Sequence, residues 1–129
     1  MSKPVKIPNE QHPITVTAQG RHVVATVGGR VIADTRDALT LQESTYPAVQ
    51  YIPRKDVDFG LLERTDHETY CPYKGEAGYY SLNVGDVQAE NAVWTYEKPY
   101  DAVAPIKDHV AFYPNRVESI TEHPAAAAR

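Results

Sequence analysis

Between Thr65 and Gly75 the chain places its only cysteine, Cys71, beside His67, Lys74 and the phenols of Tyr70 and Tyr73. These side chains offer a nucleophile, a proton carrier, an anion contact and stacking rings. Cys71 would attack as a thiolate if Lys74 or His67 lowered its pKa. Pro72 beside it favours a fixed turn; against this, a lone cysteine usually packs as a small buried hydrophobe, and the inert, structural role is the expectation. An acid/base role for His67 or Glu43 follows only from residue type.

Lys74 precedes Gly75, but the Gly-x-x-x-x-Gly that cradles a phosphate with backbone amides is absent, so this is not a phosphate loop. A single lysine can still meet a carboxylate or phosphate, and Arg54 could present its planar fork to the same anion. The competing role for Arg54 is a salt bridge to Asp56 or Glu43. Nine tyrosines stand against two phenylalanines and one tryptophan, so many rings carry a hydroxyl that needs a partner if buried. Tyr46, Tyr51, Tyr70, Tyr73, Tyr80, Trp94, Tyr96 and Tyr113 could wall a cleft for a base, sugar or planar ligand; core packing and cross-strand pairing are the alternative for each ring. One cysteine and five scattered histidines give no clustered ligand spacing, so neither a metal site nor a cofactor is expected.

The elements that must position these groups fit one domain spanning 1–129, with its core over about 12–120. Thirteen basic against seventeen acidic residues give a formal charge of -4 with no basic stripe, which disfavours nucleic acid as a partner. The opening Met1-Ser2-Lys3-Pro4 run is not followed by an apolar signal stretch, and no apolar run is long enough to span a bilayer. A cytoplasmic setting without membrane attachment is expected.

His22 to Val27, Gly28-Gly29 and Arg30 to Thr35 read as a hairpin whose glycines supply the positive φ of a tight turn. Ile14 to Ala18 and Val49 to Ile52 read as strands. Ala38 to Ser44 reads as a half-buried strand with Leu39, Leu41 and Glu43 on one face, a helix being the alternative. Phe59 to Thr65 could be a further strand. Gly78 to Val84 and Ala92 to Tyr96 look like paired strands separated by Gly85-Asp86 and a polar stretch through Asn91. Pro99 to Lys107 suits a short helix or irregular crossing, after which Val110 to Tyr113 and Val117 to Ile120 return to strand. The tail from Glu122 lacks apolar anchors and is expected to fray. The tally predicts a mainly antiparallel β protein with little helix: a small sandwich, a partly open barrel or a β-tent-like fold. The 23–35 hairpin and the strands around Tyr80 and Trp94 are expected in one sheet system, with Trp94 largely buried.

Arg30-Val31-Ile32-Ala33-Asp34-Thr35, Tyr46-Pro47, Tyr51-Ile52-Pro53-Arg54-Lys55-Asp56-Val57, Thr69-Tyr70-Cys71-Pro72-Tyr73-Lys74-Gly75, Ala92-Val93-Trp94-Thr95-Tyr96 and Ala111-Phe112-Tyr113, in that order, resemble the domain of unknown function 427 family. The resemblance covers about His12 to Val117. It implies a small, mainly β, bacterial-type cytoplasmic domain, sometimes labelled nucleotidyltransferase-like, with a relation to β-tent folds. That label needs paired carboxylates for metal-bound triphosphate; Asp56-Val57-Asp58-Phe59 supplies them, but the Gly-Ser that precedes such a pair is missing.

Two functions stay open on these residues. One is a module or enzyme that binds a small anionic, nucleotide-like ligand through Arg54, Lys74, Tyr70, Tyr73, Trp94, Tyr96, Glu43 and Cys71, with Arg54 and Lys74 converging on one cleft. The other is a non-catalytic interaction domain, a homodimer included, whose exposed rings form a protein interface.

Overall fold

The computed structural model describes residues 3–123. Among the described residues ten strands carry the fold: β1 Ile14–Ala18, β2 His22–Val27, β3 Arg30–Thr35, β4 Leu39–Glu43, β5 Val49–Pro53, β6 Leu62–Cys71, β7 Gly75–Val84, β8 Val87–Thr95, β9 His109–Phe112 and β10 Ser119–His123. Among the described residues helix is confined to 3-10 segments at Arg54–Asp56, Phe59–Leu61 and Asp101–Ile106. Every strand pairing is antiparallel, in a seven-stranded sheet ordered β1-β4-β5-β9-β8-β7-β6 and a three-stranded sheet ordered β10-β2-β3. The protein is thus mainly β, and its two sheets do not close into a barrel. Among the described residues no helix is long and apolar enough to cross a membrane.

Strand alternation divides the large sheet into two apolar faces. Ile52, Tyr80, Leu82, Val84, Val93, Val110 and Phe112 meet Val23, Ala25, Val27, Ile32 and Ala33, so the small sheet packs on one face and forms the main core. Leu41, Tyr51, Ala77, Tyr79, Tyr96 and Ala111 turn to the other face, where Val103 and Ile106 of the 3-10 segment help cover them. On β7 the change of face falls between neighbours: Tyr79 belongs to the second cluster and Tyr80 to the first.

The Val23–Thr35 hairpin forms as expected, with Gly28 and Gly29 at φ of 59° and 76°. It lies in the small sheet beside β10, however, separate from the sheet that holds Tyr80 and Trp94. Its inward residues fill the space over the larger sheet, so packing and not shared hydrogen bonding joins the two. Trp94 is half-buried and not largely buried, because it stands at the edge of the second cluster. The polar stretch before Asn91 is not a loop. It continues β8, with Asn83↔Gln88 and Leu82↔Ala89 in register, since a turn at Gly85-Asp86 needs no longer connection and these polar side chains face solvent. Phe59–Leu61 is a 3-10 turn capped by Asp58, whose side chain accepts from the Gly60 N–H, and the strand starts only at Leu62. Ala38 to Ser44 resolves in favour of strand. Glu122 and His123 complete β10, against the fraying expected of them, while 124–129 lie outside the described residues.

Gly75 opens β7 at φ +112°, and a Cβ there would lie 3.2 Å from the Lys98 carbonyl oxygen. Gly29 has a similarly unusual φ with nothing within 4 Å of such a Cβ. Both constraints act at Gly75 and only one at Gly29. Gly75→Ala is therefore expected to cost about 2 kcal/mol and Gly29→Ala about 1 kcal/mol, as read by urea unfolding. Equal costs would show that the Lys98 contact yields freely.

Candidate functional site

A lysine removed from water must find a partner for its charge, and the Lys74 side chain is only 10% exposed. It ends the turn Pro72-Tyr73-Lys74 between β6 and β7, where its N–H donates to the Cys71 carbonyl at 3.2 Å. The Tyr100 N–H donates to the Lys74 carbonyl at 2.9 Å, which fixes the turn from the far side. From there the ammonium donates to Oε1 of Glu43, itself 18% exposed. The Cys71 Sγ lies 3.7 Å from the same nitrogen.

The second Glu43 oxygen, Oε2, meets His12 Nε2 at 2.7 Å. An Asx turn sets that histidine in place: Asn9 Oδ1 accepts from the N–H groups of Gln11 and His12 at 2.9 and 3.0 Å. The His12 ring then stacks on Tyr73 at 4.2 Å and 5°. Burial works to raise the Glu43 carboxyl, but the bonds from Lys74 and His12 outweigh it and hold the group below its ordinary value.

The sheet order makes this contact informative. Glu43 ends β4, and β5, β9 and β8 separate that strand from β7. Four strand spacings would hold β4 and β7 roughly 19 Å apart if the sheet were flat. Contact between Glu43 and Lys74 requires the sheet to curl and brings its two halves together over the concave face.

Within that curl lies a cavity of about 210 Å³, walled by the rings of Tyr46, Tyr51, Tyr79, Trp94, Tyr96 and Tyr113, with Glu43 and Lys74 on one side. The rings are organised by their polar tips. Trp94 Nε1 donates to the Tyr51 hydroxyl at 3.1 Å, and the Tyr79 hydroxyl lies 2.8 Å from Thr69 Oγ1 and 3.4 Å from that of Tyr113. Burial, then the bond to Tyr79, pushes the Tyr113 phenol up to about 12. Burial drives Tyr51 and Tyr96 well above the ordinary phenol range, so all three stay protonated at neutral pH. A larger groove of about 440 Å³ runs along Arg64, Glu68, Glu76, Glu97 and Lys98. Its Arg64–Glu97 pair at 2.8 Å is solvent-exposed and Tyr100 is the one ring along it, so the smaller, ring-walled cavity is the better candidate.

Of the residues singled out in the sequence, Lys74, Glu43, Trp94 and Tyr96 meet at this cavity, and Cys71 stands half-buried beside the ammonium. Arg54 does not join them. Its guanidinium donates to the Tyr80 hydroxyl at 3.2 Å and lies 4.2 Å from the Phe59 ring centroid, on the opposite face of β7. The expected convergence of Arg54 and Lys74 therefore fails, because Tyr79 and Tyr80 point to opposite sides of one strand. No ion pair joins Arg54 to Asp56 or Glu43 among the described residues; a phenol and a ring hold it instead. Tyr70 turns outward to the Pro4 carbonyl and the Tyr100 hydroxyl, and Tyr73 supports His12 from outside the cavity. His67 tilts over Tyr79 at 4.5 Å without lining the cavity.

Asp56 accepts from Thr35 Oγ1 at 2.7 Å, and Asp58 caps the following turn, so the two carboxylates serve separate local structures. Among the described residues no three His, Cys, Asp or Glu side chains are grouped to hold a metal ion. Sequence reasoning missed His12 and Tyr79. Nothing local marks His12, which is 31 residues from its partner. Tyr79 was legible from the alternation of Ala77, Tyr79 and Ser81 against Tyr80, Leu82 and Val84.

A family model described as a domain of unknown function (DUF427) matches residues 15–123. Among curated proteins, none matches the chain.

Breaking a buried ion pair strands a charge, whereas replacing both partners removes the desolvation penalty as well. Lys74→Met and Glu43→Leu are each expected to cost about 3 kcal/mol, with the double variant recovering most of that in urea unfolding. Additive losses would show that the two side chains act independently.

Acid should expose the same pair. A carboxyl whose folded pKa lies below 4.5 contributes stability that is complete above that value and lost as pH falls through the folded one. The stability gap between the wild type and Glu43→Gln should therefore narrow as unfolding is followed from pH 7 to about 3. A gap that is constant across this range would contradict the depressed carboxyl.

Proposed function

The chain belongs to the family described as a domain of unknown function (DUF427), a description that assigns no reaction, and from the geometry of its cavity we propose that this domain binds a small, ring-bearing anionic ligand. The observation that carries the reading is the cavity itself: six aromatic rings and one buried ammonium face a common space on the concave side of the curled sheet. Rings supply flat contact area, and the ammonium supplies an N–H donor beyond those used on Glu43 and Cys71.

Size narrows the ligand. About 210 Å³ falls below the roughly 300–1,000 Å³ of pockets that enclose drug-sized molecules. A single ring with one polar substituent fits this space better than a whole nucleotide does. Glu43 already balances Lys74, so attraction rests on hydrogen bonding and ring contact more than on excess positive charge.

The chain's only tryptophan, Trp94, lines the cavity and reports on its occupancy. Titration with a panel of one-ring carboxylates and phosphates should give a saturable change in Trp94 fluorescence for at least one class. Arg54→Ala should leave that response unaltered, because Arg54 sits on the other face of β7. If no compound perturbs Trp94 up to millimolar concentration, or if Arg54→Ala abolishes a response that Lys74→Met/Glu43→Leu leaves intact, the ligand does not occupy this cavity.

A further inference from the structure

The donors facing the cavity outnumber the acceptors they have been given. Tyr51 is 2% exposed, and its hydroxyl oxygen accepts from Trp94 Nε1, yet its own proton has no acceptor among the described residues. Tyr96 is 8% exposed and lines the same cavity, and its hydroxyl makes no hydrogen bond among the described residues. Buried hydroxyls normally find partners. No buried side-chain nitrogen or oxygen among the described residues is cut off without a partner, so the Tyr96 hydroxyl keeps some access to solvent, and Tyr96 lines the cavity. Lys74 has three N–H bonds, of which Glu43 Oε1 takes one and the Cys71 sulfur a second.

Two phenol protons and one ammonium proton are thus unspent around one ring-walled space. Donors held in place before a ligand arrives select an oxygen acceptor, since only an acceptor repays their desolvation. We propose that the Tyr51 and Tyr96 hydroxyls, assisted by the free N–H of Lys74, form a cradle for the carboxylate of a small aromatic or unsaturated acid. The inference rests on the cavity being a ligand site and names the chemical class it takes.

Alternatives of similar size fit less well. A phosphate group would bring further negative charge against Glu43, with the one nearby ammonium already paired. An ammonium-bearing ligand would find rings but would leave the phenol protons unsatisfied and face Lys74. A monocarboxylate brings one charge and two acceptor oxygens, matching the two phenols. Its ring would lie against Trp94 and Tyr113, whose centroids are 4.5 Å apart.

Tyr96→Phe isolates the claim because it deletes a hydroxyl with no partner among the described residues and should leave folding intact. Calorimetric titration of the full chain with benzoate should show one site, with benzamide at least tenfold weaker. Tyr96→Phe and Tyr51→Phe should each weaken benzoate binding by roughly ten- to a hundredfold, the range for a hydrogen bond to a charged group. An unchanged thermal midpoint in Tyr96→Phe would separate that loss from unfolding. Benzamide binding as tightly as benzoate, or Tyr96→Phe binding benzoate like the wild type, would overturn the carboxylate cradle. If benzoate fails while another compound of the panel perturbs Trp94, the cradle falls and the cavity stands as a ligand site. If nothing perturbs Trp94, both fall.

Discussion

The contact of Lys74 with Glu43 links two parts of the large sheet that hydrogen bonding alone would keep well apart. Three strands intervene between β4 and β7, so the ion pair exists only because the sheet curls, and the concave face it bridges becomes a cavity. His12 draws the segment before β1 onto the same carboxylate, so one side chain gathers three separate stretches of chain. Such a pair is costly to desolvate and adds little net stability on its own terms. Its value is positional: it bridges the two halves of the curled sheet beside the space between the rings.

The two faces of that sheet do different work. One is covered by β10, β2 and β3 and contains mostly aliphatic residues with Tyr80 and Phe112. The other collects Tyr51, Tyr79 and Tyr96, with Trp94 and Tyr113 packed at its margin. Tyrosine suits this second face because its ring can be buried while its hydroxyl binds a neighbour or a ligand. The hydroxyl contacts from Thr69 through Tyr79 to Tyr113, and from Trp94 to Tyr51, hold the rings in relative orientation. Rings held in this way would spare a ligand of the proposed kind the cost of ordering them.

How much of this could be read from the sequence depended on the range of the interaction. The Gly28-Gly29 hairpin, the strand at Leu39–Glu43 and the turn at Gly85-Asp86 are local, and glycine punctuation with period-two alternation marked them. The segment ending in Lys74-Gly75 was recognisable as a candidate site because it concentrated reactive side chains. Its partner was not: Glu43 was only one of several acids that could have met a cation, and His12 carried no signal at all. Arg54 shows the reverse error. It stood in an equally dense string, but the face on which a side chain emerges follows from strand register and sheet curl, neither of which composition reveals. The same applies to Tyr79 and Tyr80, where a shift of one residue separates cavity wall from core.

Because Glu43 meets the ammonium directly, the cavity presents a balanced ion pair and not a bare cation. A ligand of the proposed kind would therefore enter by unaided diffusion, without the acceleration that a bare cationic cleft gives to anions, and the protein's formal charge of -4 offers no compensation. Sorting among such molecules would fall to the residence time: one that satisfies the phenols would stay, and one that does not would leave as quickly as it came.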